Sequence, residues 1–185
     1  MKINTAKITR IALCTAFIAV GAIISFPTKP AFTLQTLCIF LSSVILKPSE
    51  AFLSSLVYIL LGLAGVPIFA GFHGGIGVIL GVSGGFILSF PFISLMCSHL
   101  LRRFRSSAFV YAFVFTLATL VSYIFGTIWI SSFALFKGPF KDMLLELVLP
   151  FVVFDIVKIA AATFCALKIK KAFKNDKKEN TNNKI

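Results

Sequence analysis

The sequence predicts an all-α integral membrane protein of six transmembrane helices, with both termini in the cytoplasm. Three observations carry that prediction. First, 58% of the 185 residues are hydrophobic, Phe alone occurs 22 times, and only 13% are charged. A water-soluble domain of this length leaves roughly a third of its surface exposed, more than so apolar a chain can cover with polar groups, and a lipid solvent removes the conflict. Second, six apolar runs recur along the chain, each a candidate for crossing about 30 Å of hydrocarbon. Third, the basic residues gather in alternate connections, as the positive-inside rule requires of an even number of spans.

The runs cover residues 8–26, 32–46, 50–68, 76–99, 107–130 and 146–168. The first has no small-residue cleavage site behind it, and similar stretches follow, so it reads as a retained helix and not a cleaved signal. The second is short, about 22 Å at 1.5 Å per residue, and follows the kinked approach "FPTKPAF". The fifth stretch, if carried to 136, is too long, so its span is expected to end near Gly126, with "TIWISSFALF" at the interface and Trp129 as an anchor there. The sixth carries Asp155 and Lys158. Residues 1–168 thus form a single six-helix membrane domain, and 169–185 a basic, disordered cytoplasmic tail.

Charge sets the orientation. Lys2, Lys7 and Arg10 sit at the start of the first span, Lys47 separates the second and third, Arg102, Arg103 and Arg105 separate the fourth and fifth, and seven lysines run from Lys168, at the end of the sixth, onward. The other connections hold only Lys29, Lys137 and Lys141, which makes them external. That side receives Gly62–Gly85, "GLAGVPIFAGFHGGIGVILGVSGG", with nine of the twelve glycines. Residues 65–75 read as an external cap, and Gly77, Gly81 and Gly85, four apart, as a small-residue packing face.

Several function classes fall away. The net charge of +12 sits at helix ends and in the tail, without the aromatic-interleaved basic surface that binds nucleic acid. Cys14, Cys38, Cys97 and Cys165 are scattered through apolar segments and read as buried, reduced side chains. His73 and His99 fall on opposite membrane faces, so they share neither a metal nor a triad. His99 beside Arg102 and Arg103 belongs to the cytoplasmic interface, while His73 either touches a ligand or faces water. The glycine-rich stretch lacks the GK[ST] ending of a phosphate loop, and no HExxH, GxSxG or intramembrane carboxylate pair occurs. No enzyme and no bound cofactor are expected.

Asp155 and Lys158 are the acid–base pair set well inside an apolar run. Each costs roughly 2.5–3.5 kcal/mol at the centre of a spanning helix. Three residues apart, they share a helix face. Two readings fit: an ion pair that pins neighbouring helices, or a polar binding point in a protein-lined cavity. An Asp accepts N–H donors and a Lys donates to carbonyl or carboxylate oxygens, so the residues alone indicate a small polar or anionic solute.

Four stretches together, "FTLQT" at Phe32–Thr36, "GLAGVPIFAGFHGGIGVILGVSGGF" at Gly62–Phe86, "YIFGTIW" at Tyr123–Trp129 and "PFVVFDIVK" at Pro150–Lys158, make the chain resemble the BioY family. That family supplies the biotin-specific substrate-capture (S) component of energy-coupling factor (ECF) vitamin transporters. The resemblance covers residues 8 to about 168, with Gly81-Val82-Ser83-Gly84-Gly85 standing where the family usually has Gly-Pro-Thr-Gly-Gly. It implies an S-component-like six-helix fold that binds biotin near the extracellular face. The implied substrate-binding residues are Asp155, Lys158, Gln35, Gly71, Gly74, Gly75, Ser83, Tyr58 and Phe69. Asp155 would accept a ureido N–H, and Lys158 would either bond the ureido oxygen or compensate Asp155.

The resemblance also implies partners: a membrane coupling protein (T component) and two ABC-type ATPase subunits, in the bacterial plasma membrane. Ala12 and Ala16 match the AxxxA face described for such S components, and Ala19 extends it; small side chains let a second helix approach closely. The chain has no Walker A sequence, so ATP hydrolysis falls to the partners. A standalone receptor or facilitator is the near alternative, and a purely structural membrane protein the distant one.

Overall fold

The computed structural model describes residues 5–182 except 27, 29–30, 134 and 136, with side chains at all of these but 147, 174 and 176–182. Lys2, Lys29 and Lys184 of the charge pattern lie outside the described residues, as do parts of "FPTKPAF" and "TIWISSFALF". The order is α1 (Thr5–Ile23), a hairpin of β1 (Ser25–Phe26) and β2 (Phe32–Thr33), α2 (Gln35–Ile45), α3 (Pro48–Leu63), α4 (Ile76–Leu80), α5 (Gly84–Arg103), α6 (Ala108–Ser132), α7 (Phe140–Leu147) and α8 (Leu149–Asn182). A single 3-10 turn at Ala70–Phe72 interrupts the long connection between α3 and α4.

Four helices are long and apolar enough to cross a membrane, not six: α1, α5, α6 and Leu149–Phe173 of α8. With 11 and 16 residues, α2 and α3 reach only about 17 and 24 Å. The reason lies in where they sit. Residues Cys38 through Val44 of α2 are buried, and α2 packs against α1, α5 and α8. Its last carbonyls meet protein and not water: Leu46 O accepts Ser98 Oγ at 2.6 Å and an Arg102 Nη at 3.0 Å. A helix whose ends are satisfied inside protein need not reach the membrane surface. Pro48 in its first turn, with its fixed φ, sets the restart as α3.

The long helices turn apolar side chains outward. Leu13 and Val20 of α1, Phe109 and Ile124 of α6, and Val153 and Val157 of α8 are all more than half exposed, as a lipid-facing surface requires. Inside, Ile18, Ile39, Phe40, Ile93, Tyr111 and Phe115 form the core. Serine and threonine hydroxyls also tie helices together: Thr15 Oγ1 to Ser54 O at 3.0 Å and Ser94 Oγ to Ala51 O at 3.1 Å. Glu50, nearly buried, receives two hydrogen bonds from the Arg10 guanidinium, at 2.9 and 3.2 Å, joining α1 to α3. Cys14, Cys38 and Cys97 are buried and Cys165 half-buried, all as free thiols.

Two expectations need correction. α6 runs unbroken through Gly126 to Ser132, because Gly126 is the notch that receives the Phe86 ring and not a helix end. Trp129, half-buried, packs against the start of α5. Of the glycines spaced four apart, only Gly85 makes a close approach, to α6, while Gly77 borders open space. α8 continues beyond residue 168 to Asn182. No Gly or Pro interrupts 151–182, and Lys, Ala and Glu favour helix. Ala12 and Ala16 are exposed on α1, whereas Ala19 turns in to the core.

Gly85→Ala should lower the thermal midpoint in detergent, since its Cβ would stand 2.6 Å from the carbonyl oxygen of Phe125, an overpacking clash of about 1–3 kcal/mol. Gly77→Ala, which meets nothing within 4 Å, serves as the control. Equal midpoints for the two variants would mean that α5 and α6 are not held at this distance.

Candidate functional site

α8 carries Asp155 and Lys158 on its inward face, 7% and 8% exposed, with Val153, Phe154, Ile156 and Val157 outside. Lys158 Nζ lies 2.6 Å from Asp155 Oδ1. Neither charge rests on the other alone. The Tyr123 hydroxyl of α6 donates to Asp155 Oδ2, and Lys158 Nζ donates to Thr33 O and Thr36 Oγ1, each at 3.2 Å. The ammonium also stands 5.1 Å from the centroid of the Phe32 ring, which stacks on Phe151 at 4.8 Å. A desolvated pair survives when its remaining lone pairs and protons are satisfied in this way. The cluster joins the β hairpin, α2, α6 and α8.

The wall beside it starts at Gln35, the first residue of α2. Its Oε1 accepts Thr33 Oγ1 at 2.8 Å and its Nε2 donates to the Tyr58 hydroxyl, which in turn donates to Ile68 O at 3.1 Å. That chain ties α2 to α3 and to the segment leaving it. There Phe69 N donates to His73 O at 2.9 Å, closing the turn at Ala70–Phe72, and Gly71 N donates to Ser25 Oγ at 3.2 Å. Gly71 and Gly75 adopt φ of 70° and 87°, which glycine takes without steric cost. At Gly74 a Cβ would stand 2.6 Å from Val66 O, so this backbone approach also needs a glycine.

These elements enclose a cavity of about 600 Å³. Of the residues singled out in the sequence, Asp155, Lys158, Gln35, Gly74 and Ser83 line it. Tyr58 and Phe69, both fully buried, stand behind the wall and support it, and Gly71 and Gly75 shape the loop without lining the cavity. Tyr123, Thr33, Thr36 and His73 also line the cavity, alongside Phe86, Phe90 and Phe151. Tyr123 lay within a quoted stretch, and its one signal was a phenol in an apolar helix that needs a partner. The lining mixes apolar surface with a limited set of polar groups, an arrangement that can bury a small molecule and orient it by a few polar contacts. Among the described residues no His, Cys, Asp and Glu side chains group as metal ligands.

The family model described as "BioY family" matches residues 1–175. A probable biotin transporter BioY from Pyrococcus horikoshii is 38% identical, with 88% of this chain and 95% of that protein covered. The biotin transporter BioY2 of Lactococcus lactis subsp. cremoris is 33% identical over 95% and 96%, and that of Thermotoga maritima 32% identical over 89% and 96%. The fold resembles the crystal structure of the S-component for biotin from an ECF-type ABC transporter, with a TM-score of 0.78, 22% identity, and 92% of this chain and 95% of that one covered.

Lys158→Met should destabilise the protein by about 3–5 kcal/mol, because it strands the Asp155 carboxylate in an apolar setting. Combining it with Asp155→Asn should restore most of that loss. A double variant no more stable than Lys158→Met would show that the two charges are not energetically coupled; unfolding midpoints in detergent decide between these outcomes.

Proposed function

The chain belongs to the BioY family, and from that premise we propose that it captures biotin at high affinity as the S component of an energy-coupling factor transporter. It is a multi-pass membrane protein of the bacterial plasma membrane, and its work is binding and carriage, not catalysis. Biotin is its substrate and not a cofactor. One observation carries the site: the buried Asp155–Lys158 pair, held by Tyr123 and Thr36, lines the cavity. Each carboxylate oxygen accepts two hydrogen bonds, so a ureido N–H can join Asp155 without expelling Tyr123 or Lys158. Gln35, Gly74 and Ser83 add to the polar lining, and Phe86 and Phe151 offer apolar surface to the sulfur-containing ring.

Six membrane-embedded units are proposed: α1, α2, α3, α4 with α5, α6 and α8. The shorter members are shielded by the longer ones, and residues 1–168 form one domain. Lys7, Arg10, Lys47, Arg102, Arg103, Arg105 and the lysines after 167 favour a cytoplasmic position for both termini. The cavity then opens outward. The partners are a T component and two ABC-type ATPase subunits. The exposed Ala12 and Ala16 offer the coupling protein a close approach on α1.

The purified protein should bind biotin one-to-one in the nanomolar range, near −12 kcal/mol at about 1 nM. Asp155→Asn, which turns an acceptor into a donor, should weaken binding by about 2–4 kcal/mol. Titration calorimetry measures both. Folded protein that fails to saturate at about 10 μM biotin, a binding free energy near −7 kcal/mol, would sink the assignment.

Replacing Ala12 and Ala16 together by Trp should leave biotin affinity within about threefold, well under 1.4 kcal/mol, but sharply reduce ATP-dependent uptake with the partners. Uptake by proteoliposomes is the measurement. Undiminished transport would put the coupling surface elsewhere, and parallel loss of binding would indicate damage to the fold.

A further inference from the structure

Building on the biotin reading, we infer that His73 recognises the acid end of the substrate and takes up a proton as that end binds. The cavity's charge requires such a group. Among the described residues, Asp155 and Lys158 are the only Asp, Glu, Lys or Arg side chains that line it, and they neutralise each other. A monoanion entering this space finds no net positive charge at the buried pair. Of the other described side chains that line it, His73 alone can acquire one.

Position agrees with charge. Asp155 and Lys158 lie at the buried end, while His73 and its neighbours Phe72 and Gly74 are exposed at the rim. A long substrate whose cyclic urea reaches the buried pair leaves its carboxylate at that rim. The backbone there is costly to make. Phe72 adopts φ of 58° directly after Gly71 at 70°, a left-handed conformation disfavoured for a bulky residue. Such strain persists only where the surroundings impose it, and here the bonds from Phe69 N to His73 O and from Gly71 N to Ser25 Oγ do so.

The imidazole has one nitrogen engaged. Nδ1 lies 3.0 Å from Ala70 O, a carbonyl that only accepts, so Nδ1 carries a hydrogen. In the neutral ring Nε2 then presents a lone pair, which cannot bond a carboxylate. Protonation converts it to a charged donor, and acid binding and proton uptake become one event. The groups facing His73 across the cavity are Asp155, Lys158 and Tyr123, already bonded to one another, and its own turn and β1 contribute only backbone and Ser25.

The test compares biotin with biotinamide, in which a neutral amide replaces the acid, by calorimetry of the full chain slightly above neutral pH in two buffers of different ionisation enthalpy. Wild-type protein should take up a fraction of a proton with biotin and none with biotinamide. His73→Ala should weaken biotin about tenfold, abolish the uptake and leave biotinamide within about twofold, because a lost charge-assisted contact affects only the acid. His73→Lys should keep the preference for acid while losing the buffer dependence. An unchanged acid-to-amide ratio in His73→Ala, or a buffer-independent enthalpy in wild type, would overturn the role of His73 while biotin capture stands. Folded wild type that binds neither compound would overturn the biotin reading and this role with it.

Discussion

Two opposite charges buried side by side organise this molecule. Asp155 and Lys158 can leave water only together, and only if their remaining valences are met. Meeting them recruits Tyr123 from α6, Thr36 from α2 and the Thr33 carbonyl from the hairpin. The last helix is thereby locked to the first third of the chain. Among the described residues the same arrangement gives the cavity a neutral but dipolar cluster, with Phe86, Phe90 and Phe151 as apolar wall. A ligand is oriented by that contrast before any individual hydrogen bond is counted.

The bundle around the site solves a second problem, that of exposing no unpaired backbone to lipid. Long helices with Leu, Val and Phe on their outer faces form the rim, and the two short helices are carried between them. Ser98 and Arg102 close the end of α2, and Thr33 Oγ1 accepts from the Gln35 amide at its start, 3.3 Å away. Close contact between α5 and α6 depends on glycines at 85 and 126, each facing a bulky partner residue. The short α2 is tolerated because protein surrounds most of it.

Much of this was legible in the residues. Asp155 and Lys158 announce themselves because charge in an apolar run demands an explanation, and Gln35 does so more weakly for the same reason. Hydropathy could not separate α2 and α3 from true spans, since a stretch buried in protein and one facing lipid are equally apolar. Tyr58 and Phe69 illustrate the matching limit at the site. In a chain with 22 Phe, an aromatic side chain does not report whether it lines a cavity or supports its wall. Tyr123 went unremarked because its partner is set by the packing of α6 on α8, which no local pattern encodes. The glycines misled in part: equal spacing suggested one shared face at 77, 81 and 85, yet a break between α4 and α5 at Gly81–Ser83 puts only the last against α6.

The bond from Lys158 to Thr33 spans 125 residues, and this has a bearing on how the protein is made. The hairpin and the start of α2 leave the ribosome long before α8 does, by about 6–25 s at ordinary rates of synthesis. Throughout that interval Thr36 and Tyr123 have no charged partners. Nascent chains that stop short of α8 therefore lack both buried charges, although Gln35, Gly74, Ser83 and the turn that carries His73 are already made. Insertion of the final helix completes the polar cluster, and a chain released early is a membrane bundle without it.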